Sequence, residues 1–354
     1  MALINQDFIT PAEASGIVLG AYQTVTAQLP FSQVLPDINN PTGLRVDWIP
    51  NQARPEEDEM HFGAWDAEAE YGQTKGGEKI AYTKMLPLRK RMRISEYDIA
   101  EGKVDLNGSN VADSLREYFL QLGKELAFRL ERARVTVTVD AALSVDEHDV
   151  KATWDYQRDA SLTVTAAQKW NVDGDPVADT RLWADVIDAV DGYAPTVMLM
   201  TRKVMRALEA NPVIIRYAFQ GQGDTLPNLV GENVVRNVMQ QMAGIDNILI
   251  VDDVYKKYAQ AQKIQLPGGV KSFFPEDTVL LLPDLGGTDM GYTALGPTAE
   301  AKAKANGISR EHDAGPVGLV TDIAASTPGY EAYATATALP VLIQSNSTLK
   351  ATVL

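Results

Sequence analysis

The stretch from Asn110 to about Leu143 restricts most strongly how this chain can fold. Val111, Leu115, Tyr118, Phe119, Leu122, Leu126 and Leu130 recur three and four residues apart, which draws one apolar stripe along a helix. Asp113, Arg116, Glu117, Lys124, Glu125, Arg129, Glu131 and Arg132 fall between them, on a solvated or partner-facing side. Glu125 stands four residues before Arg129, the favourable order for a helical ion pair. Ser109 or Asn110 can cap the start. The β-branched run at 135–139 favours strand. No Gly or Pro follows it before Ala142, however, and the pattern predicts one helix over 110–142. Some thirty residues of helix would span roughly 45 Å, more than a single compact domain of this size needs.

Residues 1–42 are punctuated by Pro11, Pro30, Pro36 and Pro41. A helix from Pro11 to about Gln28, capped by Thr10, fits the first part. The remainder reads as an extended arm ordered against something else. Residues 43–99 read as a two-stranded excursion. Leu44, Val46, Trp48 and Ile49 lead out, and Ile80, Tyr82, Lys84, Leu86, Leu88, Met92 and Ile94 lead back. A lone hairpin is barely stable in water, so it packs either on its own domain or on a neighbouring subunit. The acidic run Glu56, Glu57, Asp58, Glu59 and the basic run Arg89, Lys90, Arg91, Arg93 can meet, or both can be solvated faces.

Residues 144–178 are β-like and rich in turns, with strands over 150–154 and 161–165 and a turn at 171–176. From Asp179 the pattern alternates between helices and buried strands. A helix capped by Asp179 or Thr180 precedes an apolar run at 195–200. Thr201 caps the next helix, which ends at Asn211-Pro212. Helices are expected over 213–219 and 232–242, and strands at 247–251, 278–282, 317–323, 339–343 and 348–354.

The chemistry these residues can offer is narrow. There is no cysteine, which excludes disulfides, thiolate ligands and cysteine nucleophiles. His61, His148 and His312 sit in unrelated segments without metal-ligand spacing. Gly268-Gly269 and Gly286-Gly287 lack a phosphate-loop context and read as turns, and no GxSxG elbow occurs. Asp173 and Asp175 begin like a calcium loop, but the later ligands do not follow. Asp252-Asp253 follows a strand, where active sites of open α/β sheets occur. With no partner His, Lys or Gly-rich loop it reads as a turn pair. No cofactor is expected. A net charge of −15 repels nucleic acid. No apolar run is long enough to span a membrane, and the first residues lack the pattern of a signal peptide.

The serial order of these elements resembles the capsid protein E family of tailed-phage major capsid proteins, with the Hong Kong 97 phage fold. The likeness is carried by Trp154-Asp155-Tyr156, Trp170-Asn171 and Asp175-Pro176-Val177-Ala178-Asp179. Ala194 to Thr201, Phe273 to Pro283, Gly291 to Thr298 and the tail from Ala338 to Val353 extend it. The resemblance implies an α+β fold with an N-terminal arm (1–42), an extended loop (43–99) and a peripheral domain (100–178) holding the spine helix 110–142. An axial domain (179–320) and return strands to the peripheral domain (321–354) complete it. It also implies a non-enzymatic shell subunit that assembles with itself into hexamers and pentamers and encloses double-stranded DNA. Scaffold, portal and decoration proteins are implied partners. The virion is the implied location, after synthesis in the bacterial host cytoplasm. Contacts between subunits would then include Glu56–Glu59 and Arg89–Arg93. An encapsulin-like compartment shell is the alternative, and an α/β hydrolase or binding protein using Asp252 or Asp253 is a more distant one.

Overall fold

The computed structural model describes residues 3–40, 43–51, 81–101, 110–219, 226–285, 289–303, 314–323 and 329–354. The chain enters through strand β1 (Leu3–Asn5) and helix α1 (Pro11–Thr26). The α1 start is where the sequence puts it: the Thr10 hydroxyl accepts the Glu13 N–H at 3.3 Å, and Pro11 opens the first turn. A short helix α2 (Phe31–Val34) and strand β2 (Asp37–Asn39) follow. The expected extended arm is packed on its own chain. Leu29, Phe31, Val34 and Leu35 are all buried, because so dense an apolar run gains more from a core than from solvent.

Strands β3 (Arg45–Trp48) and β4 (Ala81–Lys84) pair antiparallel, with Arg45 opposite Lys84. Residues 52–80 between them lie outside the described residues, and with them Glu56, Glu57, Asp58, Glu59 and His61. The returning limb then leaves its partner. Strand β5 (Leu86–Arg93) pairs residue for residue with 331–338 near the C-terminus. Among the described residues the excursion is two-stranded over β3 and β4, and its basic limb belongs to a sheet of its own chain.

After α3 (Glu96–Ala100), helix α4 runs for 31 residues from Asn110 to Asp140. It stops two residues before the expected Ala142, at a left-handed Ala141 (φ 49°). The β-branched run stays helical because Val135, Val137, Thr138 and Val139 are buried. Thr136 and Thr138 donate their hydroxyls to the carbonyls four residues back, so tertiary burial overrides local propensity. The expected Glu125–Arg129 pair does not form. Glu125 meets Lys90 on β5 at 2.7 Å, and Arg129 meets Glu147 at 3.1 Å.

Strands β6 (Ala142–Glu147) and β7 (Val150–Asp155) make a hairpin whose two loop residues, His148 and Asp149, have φ of 46° and 65°, the left-handed values a two-residue hairpin turn requires. Strand β8 (Thr163–Thr165) leads to α5 (Pro176–Asp191). Its cap is Asp175, which accepts from Val177 N and Ala178 N, rather than Asp179 or Thr180. Asp179 instead accepts the Trp170 indole N–H at 2.9 Å.

Strand β9 (Val197–Met200), α6 (Arg202–Glu209), α7 (Pro212–Ala218), α8 (Glu232–Ala243) and β10 (Asn247–Ile250) follow. Thr201 and Asn211 cap α6 and α7. Asp252-Asp253, expected as a turn, lies in the first turn of helix α9 (Val251–Gln262), where carboxylates favour the positive end of the helix dipole. The chain closes with β11 (Thr278–Leu282), β12 (Gly291–Gly296), α10 (Ala299–Lys302), β13 (Val317–Ile323), β14 (Gly329–Leu342) and β15 (Leu349–Thr352).

Two larger sheets organise these elements. β14 is the axis of one: β13 and then β12 pair along one edge, β5 takes the other, and β1 and β2 extend the ends. The second has the order β10-β9-β11-β15-β8. Alternation along its strands sends Met198, Met200, Val279 and Leu281 into a core with α5 to α8, and Val197, Leu199, Leu280 and Leu282 into the core shared with α4 and α9. The division differs from the one read in the sequence. β8 and β15, expected beside the long helix, sit in the α/β sheet, while β12 and β13, expected in the axial unit, sit in the β14 sheet. Strand registry across several hundred residues decides this, and no local pattern encodes it.

Candidate functional site

Glu131 and Arg134 stand one turn apart in the half of α4 that is buried on most sides, and both side chains are fully buried. Glu131, read from the sequence as solvated, faces inward. Arg134 donates through Nη2 to Asp37 Oδ1 at 2.5 Å and to the Tyr22 hydroxyl at 3.1 Å, and through Nε to Thr293 Oγ1 at 2.9 Å. Glu131 Oε1 accepts the Phe31 N–H at 3.0 Å and the Tyr255 hydroxyl at 2.8 Å, with Oε2 3.7 Å from Arg134 Nη1. One helical turn thus ties α4 to α1, α2, β2, α9 and β12. Burial pushes the Glu131 carboxyl above its ordinary range against the pull of Arg134, and pushes the Tyr22 and Tyr255 phenols up. Glu131 and Arg134 are closed to solvent, and although Glu131 Oε2 and Arg134 Nη1 make no hydrogen bond, the other contacts make this junction a tie between elements.

The end of α4 is fixed by a second arginine. Arg158 donates to the carbonyls of Val139 at 2.7 Å and Thr138 at 2.5 Å, and to Thr348 Oγ1 at 2.6 Å. It thereby satisfies orphan carbonyls of the last turn. Burial pushes its guanidinium down to about 10.

Asp252 and Asp253 are spent on structure. Asp253 pairs with Arg202, which also meets Glu232 at 2.7 Å, and Asp252 accepts the Arg202 backbone N–H at 3.1 Å. Burial raises the Asp252 carboxyl. Beside this knot lies a cleft of about 860 Å³ between α6, α9 and residues 264–276. It contains no histidine, and among the described residues no group of three His, Cys, Asp or Glu could hold a metal ion.

The basic limb is exposed on β5. Lys90 reaches Glu125, and Arg91 lies 3.7 Å from Glu331 with its guanidinium 5.2 Å from the Tyr333 ring. Arg89 and Arg93 are exposed and alternate onto the same face of the strand as Arg91, opposite to Lys90. The structure thus places the basic run, while the acidic residues 56–59 lie outside the described residues. His312 and Gly286-Gly287 lie outside the described residues as well. Sequence reasoning passed over Arg134 and Arg158. The available signal for the first was a Glu and an Arg three apart inside an otherwise apolar half-helix.

The phage major capsid protein E family matches residues 83–353, most of the chain. The chain belongs to this family. No curated protein sequence matches it. A putative capsid protein of an Escherichia coli CFT073 prophage shares 12% identity over 100% of both chains, with TM-score 0.58. A phage-related protein of Bordetella bronchiseptica RB50 shares 11% identity over 99% of this chain and 97% of that one, with TM-score 0.52. An encapsulin complex from Synechococcus elongatus PCC 7942 is more remote, at TM-score 0.47 and 9% identity over 94% of this chain and 89% of that one. The capsid E protein therefore has the Hong Kong 97-type α+β fold, and its role is that of a structural shell subunit of the virion that assembles with copies of itself. No described helix is long and apolar enough to cross a membrane.

Proposed function

We propose that this capsid E protein builds the closed icosahedral head that surrounds packaged double-stranded DNA, through hexamers and pentamers of itself, and that it carries no enzymatic activity. The family match over 83–353 carries the reading. A surface of net charge −15 suits a wall that must stand beside a polyanion without adhering to it. Closed shells need heterologous contacts that complete rings, and many modest contacts become cooperative by number. Assembly in the bacterial cytoplasm, a portal, and scaffold or decoration proteins belong to the same proposal.

Electron microscopy of the expressed protein beside size-exclusion chromatography tests it. Shells, tubes or isolated rings are expected. A discrete monomer with an occupied pocket would refute the reading, and a copurifying cargo enzyme would favour a compartment shell. Within the proposal, Arg89–Arg93 pair with Glu56–Glu59 of an adjacent subunit. Changing Arg89, Lys90 and Arg91 to Glu should reduce assembly strongly; unchanged assembly would refute that contact.

A further inference from the structure

Helix α5 has two faces of different character. Val177, Thr180, Trp183 and Ile187 are buried against the sheet. The opposite face is apolar too: Leu182 is 60% exposed, Val190 39% and Tyr193 46%. Ala178 and Ala189 are exposed in the same line, and Val186 is half-buried. Spacings of three and four make this a second stripe, and exposed Asp185 and Asp188 flank it on one side. A solvated helix does not need such a stripe.

The cleft beside α9 is its complement. Its lining includes Tyr255, Ala259, Ile264, Leu266 and Val270, an apolar floor, under a basic rim. Arg202 and Lys203 on that rim are neutralised by Asp253, Glu232 and Asp277. Asp252 turns its carboxylate to the Arg202 backbone N–H. Arg206, Lys256 and Lys271 are exposed and ion-paired to no described residue. In a chain of net charge −15, unneutralised cations gathered over an apolar floor are a specific attractor for an acidic, apolar element.

The outer face of α5 does not line the cleft. α5 and α6 pack on the face of the five-stranded sheet that carries Met198 and Met200, and α9 on the face that carries Val197 and Leu199, so the cleft lies between a helix of each face. Complementary patches at two different places on one unit define a heterologous, head-to-tail contact. We infer that the outer face of α5 in one subunit seats in the α9 cleft of the next, with Asp185 and Asp188 against Arg206, Lys256 and Lys271. This rests on the shell reading and names a contact that would close its rings.

Two reversals test it, one on each side: Arg206→Glu with Lys256→Glu in the cleft, and Asp185→Lys with Asp188→Lys on the helix. Each alone should lower the assembled fraction at least tenfold by size-exclusion chromatography and electron microscopy, with the subunit's thermal melt unchanged. Both reversals in one chain should restore assembly. Co-expression of the two variants should restore six-membered rings but not five-membered ones, because only an even-numbered ring can alternate them. Should either reversal melt early, Leu182→Ser weakens the same contact from the exposed stripe and is read the same way. Variants that assemble like wild type, or losses that neither combination relieves, overturn this contact alone. A wild-type chain that stays monomeric overturns the shell reading and this contact with it.

Discussion

At the scale of single residues, the long helix depends on positions its apolar stripe does not name. A Cβ at Gly123 would lie 2.6 Å from the Val18 carbonyl oxygen and 2.7 Å from Ala21 Cβ, so α1 crosses α4 in backbone contact there. Gly123→Ala should cost about 1–3 kcal/mol, the usual penalty of overpacking, although alanine is the better helix former; a denaturant titration reads it. Arg134→Met should cost more, about 3–5 kcal/mol, because it leaves Glu131 buried with its cation removed and takes the partner from Asp37. Glu131 gives a pH signature. Its folded pKa is raised above 4.5 by burial, so the folded state holds the proton more tightly than the unfolded one. That contribution is complete below 4.5 and is lost as pH rises through the folded value. Glu131→Gln keeps an acceptor for Phe31 N–H and Tyr255 and cannot titrate. The stability difference between wild type and Glu131→Gln should therefore move against wild type as pH rises from 4.5, and a flat difference would contradict it.

At the scale of elements, α4 shows what propensity can and cannot decide. Its amphipathic first half is legible because Val111, Leu115, Phe119 and Leu122 face one core. The second half is buried on most sides, so periodicity fades there and Glu131 reads as solvent-facing. Its end is set from outside, by Arg158 on the 138 and 139 carbonyls. Arg158→Ala should leave those carbonyls without their donor, at roughly 1–3 kcal/mol each for groups that stay dry. Faster amide hydrogen exchange confined to the last turns of α4 and to β6 is the expected readout. The helix α9 escaped the sequence reading because Val251 through Gln262 begins directly after β10, with no capping side chain to announce it. Its Asp252-Asp253 pair then resembled a strand-end turn.

At the scale of the whole molecule, the C-terminus is a structural keystone. β15 lies between β11 and β8, and Leu349, Ala351 and Val353 are buried in the α/β core. Truncation after Ser347 should expose the β11 edge, abolish cooperative melting of that unit and prevent assembly, as read by calorimetry and microscopy. The same arrangement is invisible to any single stretch of the chain. Strands distant in sequence, 163–165, 197–200, 278–282 and 349–352, are neighbours in one sheet, and pairing at such separations leaves no local trace.

The order of elements, the long helix, the caps at Thr10 and Thr201, and the absence of thiol chemistry were written in the sequence itself, because each rests on periodicity, on a side chain's reach to the nearest N–H, or on composition. Only the tertiary structure decided that the N-terminal segment packs inward, that β5 joins β14, that Glu131 and Arg134 are both buried and that α5 and α9 pack on opposite faces of one sheet. Those outcomes depend on which surfaces meet across hundreds of residues, and burial and long-range pairing are properties of the folded whole rather than of any stretch of it.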